Sequence, residues 1–257
     1  IITTIMVLLI LAVSISTFKD SKQKEQFFKE FYSGDFQSFI NSYNQLNDKK
    51  RVEQTYLYLY GISNFNLKQY GNSIESLELF KILYPESTKV IPLIHYLLGA
   101  AYFNTGRFDR AVDNLLIAEE NGFINSNLYV YLGISSANSA DLYIAKEYLQ
   151  KAGLDSRRIA YFLVNKYIAL GMYKEAAGQL EFLIHLAVSE KELYELYVIK
   201  TELFPNEALQ SFIELSNYIT DPILLKNIYK TLSLLYEQDG NLIESKTMIE
   251  KSKKIVP

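Results

Sequence analysis

Residues 96–118 read YLLGAAYFNTGRFDRAVDNLLIA and residues 130–152 read VYLGISSANSADLYIAKEYLQKA, and the two align when Gly99 is set on Gly133. At that offset of 34 positions Ala111 falls on Ala145, Leu115 on Leu149 and Ala118 on Ala152. Within each copy apolar residues return at helical intervals, as in Leu98, Ala101 and Tyr102 and then Ala111, Leu115 and Ala118. This spacing predicts two helices, each with one buried face. The turns between them are Asn104–Thr105–Gly106 and Ser139–Ala140–Asp141, short enough to make the helices antiparallel neighbours. A glycine inside a helix costs about 1 kcal/mol against alanine, so Gly99 and Gly133 are read as close crossings that need the missing side chain.

The same layout extends in both directions. Residues 59–85 repeat it from Gly61 through Tyr70, Ser73, Leu77 and Phe80 to Pro85, and residues 163–183 supply Tyr167, Gly171, Tyr173, Ala176 and Leu180. Further on, PNEALQSFIEL contributes Ala208, Phe212 and Leu215, and a last unit contributes Leu232, Tyr236, Gly240 and Ile249. A weak first pair lies around Phe27 to Tyr32 and Phe36 to Leu46, with Gly34 between. A single hairpin cannot bury its apolar face alone, whereas stacked hairpins can. The pattern resembles the tetratricopeptide repeat, best at Gly99, Tyr102, Gly106, Phe108, Ala111 and Ala118, over residues 22 to 257. The expected fold class is all-α, an α-solenoid of six or seven antiparallel helix–turn–helix repeats, with the polar join 47–53 as the plausible hinge.

Ile1 to Ile15, IITTIMVLLILAVSI, carries no charge, and the first is Lys19. Residues 1–17 are therefore read as a membrane-directed segment, either a signal peptide cleaved near Ser14 and Ser16 or an uncleaved anchor, with 18–257 as the repeat domain. A buried first helix is the third reading of the same stretch. The absence of cysteine removes a lipoprotein reading, and it also removes disulfides, thiolate nucleophiles and sulfur-ligated zinc. Localisation is expected to be membrane-anchored or exported, in a bacterial cell envelope or periplasm.

With 26 basic and 29 acidic residues, the chain offers no electrostatic footprint for nucleic acid. Its two histidines, His95 and His185, lie 90 positions apart on apolar runs and read as core or boundary residues. No metal site or cofactor is expected. The chain contains no nucleophile elbow, phosphate loop, HExxH or dinucleotide fingerprint, and Asp109 with Asp113, or Glu119 with Glu120, read as solvated helix faces. An enzyme is not expected.

In hairpins of this resemblance the first helices line an inner groove. Counting from each anchor, the groove slots hold Tyr58, Ile62, Phe65 and Asn66, then Tyr96, Ala100, Phe103 and Asn104, then Val130, Ile134, Ala137 and Asn138, then Tyr161 and Asn165. The candidate partner-binding set is Tyr58, Ile62, Phe65, Asn66, Tyr96, Phe103, Asn104, Asn138, Tyr161 and Asn165. Asn66, Asn104 and Asn138 occupy one slot in three successive units, where each is either an amide contact to a peptide backbone or a helix-end cap. Lysine and arginine are missing from the positions with which some members of that family clamp a C-terminal carboxylate, where Tyr58, Tyr96, Val130, Leu59, Leu97 and Tyr131 stand instead. The functional expectation is a non-enzymatic scaffold or adaptor that holds a peptide segment or partner subunit in its groove. The alternative is a self-associating assembly protein of the cell envelope.

Overall fold

The computed structural model describes residues 21–90 and 92–255, so the apolar stretch read as a membrane-directed segment lies outside the described residues. The hairpins are α1 (Ser21–Tyr32) with α2 (Phe36–Asn44), α4 (Gln54–Asn66) with α5 (Tyr70–Leu83), α7 (Pro92–Asn104) with α8 (Phe108–Glu120), and α9 (Ser126–Asn138) with α10 (Leu142–Lys151). They continue as α11 (Ser156–Ala169) with α12 (Tyr173–His185), α13 (Glu190–Leu203) with α14 (Ala208–Ser216), and α15 (Pro222–Gln238) with α16 (Leu242–Lys254). Two short helices, α3 (Asp48–Arg51) and α6 (Pro85–Val90), fill joins between hairpins. No strand occurs among the described residues. The fold is an all-α solenoid, and the described residues form seven hairpins in two compact units that divide between Gly153 and Leu154.

One register runs through the hairpins, and it is fixed at the turns. Positive φ angles close six of them, at Gly34 (81°), Lys68 (60°), Gly106 (72°), Ala140 (65°), Gly171 (70°) and Gly240 (77°). The next amide then bonds back across the turn, as Arg107 N does to Tyr102 O at 2.9 Å and Asp141 N to Ser136 O at 2.9 Å, which satisfies carbonyls that the helix end leaves open. The hairpin α13–α14 is the exception and turns through a 3-10 segment, Pro205–Glu207. Upstream of the left-handed residue by one fixed spacing lie Phe27, Gly61, Gly99, Gly133, Val164 and Ser233, and downstream by another lie Phe39, Ser73, Ala111, Ala145, Ala176 and Ser245; every one of these is buried.

The N-terminal unit is packed around those crossings. A Cβ placed on Gly99 would stand 2.5 Å from Leu115 Cγ, one on Gly133 2.7 Å from Leu149 Cγ and one on Gly61 2.6 Å from Leu77 Cδ2, so the close approach expected from the sequence is present. In consequence the first helices sink into the unit: every residue of α7 from Leu93 to Tyr102 is buried. A helix that is apolar on all sides belongs in a core. The first hairpin fills its crossing with aromatic rings instead, Phe27 meeting Phe39 edge-on at 5.6 Å. Tyr43 stacks on Tyr60 of the next hairpin at 4.0 Å and 13°.

Residues 47–53 are tied into this unit. Asn47 caps α3 by accepting from Lys50 N at 3.0 Å, and Tyr43 Oη donates to Arg51 O at 3.0 Å. The chain divides into its two compact units after Gly153, whose φ of 83° ends the fourth hairpin.

In the C-terminal unit two glutamates tie hairpins together. Glu192, in the first turn of α13, accepts from Tyr161 Oη at 2.6 Å and Val188 N at 3.1 Å and pairs with Arg157, which ties α13 to α11. Glu190, two residues earlier, accepts from Thr220 N at 2.9 Å, Thr220 Oγ1 at 2.6 Å and Asp221 N at 2.7 Å, holding the start of α15. The guanidinium of Arg157, with the Tyr161 hydroxyl, lowers the Glu192 carboxyl to about 2. Among the described residues the apolar core of this unit includes a cluster around Leu180, Leu183 and Leu196 and one around Tyr197, Phe212, Leu215 and Ile228, with Ile184 packed against both.

Candidate interaction surface

The ten candidate residues separate into three groups. Tyr58, Ile62 and Tyr96 are core side chains, 6%, 1% and 8% exposed. They were expected to face a groove. Neighbouring rings cover the two tyrosines: Tyr58 lies 5.6 Å from Phe80 of its own hairpin, and Tyr96 stacks at 4.5 Å on Phe123, in the join to the next. Burial pushes the Tyr96 hydroxyl up to about 12. These residues fix the shape of the surface without forming it.

A second group lies within one unit and is partly open. Phe65 and Phe103 are half-buried at the C-terminal ends of α4 and α7. Phe65 meets Tyr70 edge-on at 5.6 Å. Phe103 meets Phe108 at 6.1 Å and Tyr131 of the next hairpin at 4.8 Å. Tyr131, half-buried on α9, also approaches Tyr96 at 6.3 Å. These rings form an aromatic strip with its edges in solvent. Tyr70 and Tyr131 were missing from the candidate set; the recurrence of an aromatic residue just after several of the turns, at Tyr70, Phe108 and Tyr173, was the signal that pointed to the first.

Beside the strip stand the asparagines, exposed in all three units. Asn66 Nδ2 donates to Ile62 O at 2.9 Å, Asn104 Nδ2 to Ala100 O at 2.7 Å and Asn138 Nδ2 to Ile134 O at 2.8 Å. Each amide nitrogen therefore serves the end of its own helix, as the capping alternative expected. For Asn66 and Asn104 the amide oxygen, an acceptor with two lone pairs, is the part left to meet a partner. An extended peptide presents backbone N–H donors that match such acceptors.

The third group lies in the C-terminal unit. Tyr161 is half-buried with its hydroxyl given to Glu192, and Asn165 is exposed. His95 is buried on α7 with Nδ1 3.3 Å from Asn114 Oδ1, and its desolvation lowers its pKa, so it sits as a neutral core residue. His185 is exposed. Among the described residues no group of three or more His, Asp or Glu side chains is placed to hold a metal ion. No helix among them is long and apolar enough to cross a membrane.

No protein-family model and no curated protein matches the chain. Solved structures do resemble it. A structure of MamA from MSR-1 is 19% identical with a TM-score of 0.50, covering 68% of this chain and 94% of that one. A second MamA crystal structure is 16% identical with a TM-score of 0.43 over 93% of this chain and 95% of that one. The C-terminal part of a TPR repeat-containing protein from Cytophaga hutchinsonii is 14% identical with a TM-score of 0.47 over 86% and 98%. At 19% identity the first of these speaks for the fold alone, an all-α helical-repeat solenoid.

Proposed function

We propose that the chain is a non-enzymatic interaction scaffold that holds a peptide segment or a partner subunit along the strip formed by Phe65, Phe103 and Tyr131. The observation that carries this reading is the repetition of the strip: an aromatic ring and an exposed asparagine at matching ends of α4 and α7, with the third asparagine at the end of α9. Aromatic rings give a large apolar contact at low entropic cost, and the neighbouring amide oxygens orient a backbone. We further propose that residues 1–17 direct the protein to or across a membrane, so that its partners belong to the cell envelope.

The test is affinity capture from native membranes with the chain and with a Phe103→Ala/Tyr131→Ala/Asn104→Ala variant whose helicity is checked by circular dichroism. Tyr143→Ala, at a side chain 80% exposed on the same unit, is the control. The expected result is one or a few proteins lost with the triple variant and retained with the control. Equal recovery by all three baits removes the strip from consideration. Recovery of the chain alone, with a mass in solution that rises with concentration, favours self-association instead.

A further inference from the structure

The three junctions between successive hairpins of the N-terminal unit differ at matched positions. Four residues before the left-handed turn residue of the later hairpin stand Asn64, Tyr102 and Ser136, all buried. At the second junction the Tyr102 ring fills this place: its hydroxyl donates to Glu78 at 3.0 Å, and Arg107 lies 5.9 Å over the ring. At the third, between α8 and α10, the smaller Ser136 stands there instead, and a trough of about 430 Å³ is open beside it. Val112, Leu116 and Ile144 give the trough an apolar wall, and exposed Asp109, Asp113 and Asp141 lie along its rim.

Charge sets the third junction apart as well. The first brings amides, Gln37, Asn41 and Asn44, toward Gln69 and Asn72, and the second brings Glu75 and Glu78 toward Arg107 and Arg110. The third keeps an acidic side in Asp109 and Asp113, but the two arginine positions hold Asp141 and Ile144, and no cation lines the trough. Lys151, beyond Tyr148, is engaged by Glu147 at 3.0 Å and Glu119 at 4.0 Å. Asp109 accepts from Ser139 Oγ and Asp141 from Ile144 N at 3.1 Å, whereas Asp113 enters no hydrogen bond or ion pair among the described residues. The Ser136 hydroxyl makes none among them either, although the residue is only 3% exposed and lines the trough. A buried hydroxyl without a partner costs free energy that a ligand can recover.

We propose that this trough docks an arginine-bearing extended segment of a partner protein, its guanidinium supplying the cation that Arg107 and Arg110 supply at the junction before. The aliphatic stem lies on Val112, Leu116 and Ile144, and the planar fork pairs with the carboxylates of Asp109 and Asp113, one helical turn apart on α8. The Ser136 hydroxyl donates to a backbone carbonyl of the segment. That donor favours a peptide over a polyamine, which carries no acceptor. The carboxylates are spread along the trough, and among the described residues no group of them is placed to hold a metal ion. None of the lining residues belongs to the aromatic strip, so this site and the strip are tested separately.

The experiment is fluorescence anisotropy of the full chain with a short labelled peptide that alternates arginine and leucine, beside peptides with citrulline or glutamate in place of arginine. The arginine peptide is expected to bind and the other two not to. An Asp109→Asn/Asp113→Asn variant should weaken binding by about tenfold or more. Ser136→Ala should weaken it by about threefold, through the lost hydrogen bond. A Glu175→Gln/Glu237→Gln variant, at exposed carboxylates of the C-terminal unit, should leave it unchanged. Circular dichroism checks that each variant folds. The proposal is overturned if the aspartate variant or the serine variant binds as the parent chain does, or if the Glu175 and Glu237 control weakens binding equally. It is also overturned if spermidine binds in an Asp113-dependent way while the peptide does not.

Discussion

In the N-terminal unit three successive hairpins cross at Gly61, Gly99 and Gly133, whereas in the C-terminal unit the same position holds Val164, Ile199 and Ser233. The residues that face them are nearly constant: Leu77, Leu115, Leu149, Leu180 and Leu215 are each at most 1% exposed. One hairpin geometry is thus reached in two ways. Glycine lets the two helices of a hairpin approach until a leucine fills the gap, and α7, which carries Gly99, is buried on every side. With Val164 in the gap apolar clusters still join neighbouring hairpins, through Leu183 with Leu196 and through Leu215 with Ile228, and Glu190 and Glu192 add polar ties between the same hairpins. The first route leaves no room for a side chain at the crossing, and the second adds ties that depend on ionisation.

Substitutions at the crossing test this contrast, and the largest effect is expected at Gly99→Val. The new Cβ alone would lie 2.5 Å from Leu115 Cγ and 3.2 Å from the Ala111 carbonyl, so backbone as well as side chain must move. Overpacking of this kind costs about 3 kcal/mol or more. Hydrogen exchange should show protection lost across α7 and α8 and retained in the C-terminal unit; an unchanged pattern would mean that the glycine crossing is not what packs the N-terminal unit. A smaller loss, about 2 kcal/mol, is expected for Val164→Ala, which removes two methyl groups from a side chain 2% exposed. If instead Val164→Ala raises the urea midpoint, the C-terminal unit is collapsing toward the closer crossing, and the two routes are interchangeable.

The ionic route has a pH signature. The Glu192 carboxyl is held at about 2 in the folded chain, below the ordinary value near 4.3 expected when unfolded. Its contribution is therefore fully present above about pH 5 and fades as the pH falls from about 4 through 2. Glu192→Gln should lower the stability of the C-terminal unit at neutral pH, and the gap to the parent chain should close on acidification. Stability curves that stay parallel from pH 6 to pH 2 would show that the pair with Arg157 contributes nothing that depends on charge.

Much of the fold was legible because the crossing leaves two marks in the sequence, a glycine and an alanine at fixed separation around a turn. The weak first hairpin was legible from Gly34, although Phe27 and Phe39 replace the small residues. Less legible was the hairpin α13–α14, where Pro205 breaks the turn pattern, and α3 and α6, each under two helical turns, which periodicity cannot resolve. The candidate surface was read only in part. A repeat register says which way Tyr58, Ile62 and Tyr96 point; it does not say which neighbouring side chains cover them, and that decided their burial. Phe65, Phe103 and the asparagines sit at helix ends, where the neighbour cannot cover them fully.

The smallest expected effect probes the turns. Four left-handed positions in the hairpins with regular turns hold glycine, but Lys68 (φ 60°) and Ala140 (φ 65°) are both in the N-terminal unit. A side chain in that conformation brings Cβ against the following carbonyl, at roughly 1–2 kcal/mol, while glycine loses more chain entropy on folding. The balance predicts that Ala140→Gly stabilises the N-terminal unit by about 0.5–1 kcal/mol, measured as a higher urea midpoint with an unchanged slope. Asn138, two residues earlier at the end of α9, keeps its bond to Ile134 O in either case. A stabilised variant with unaltered partner capture shows that strain at this turn serves no binding role. Stabilisation accompanied by loss of capture shows that the left-handed alanine helps to shape the surface beside Tyr131, and that the close crossings alone do not fix it.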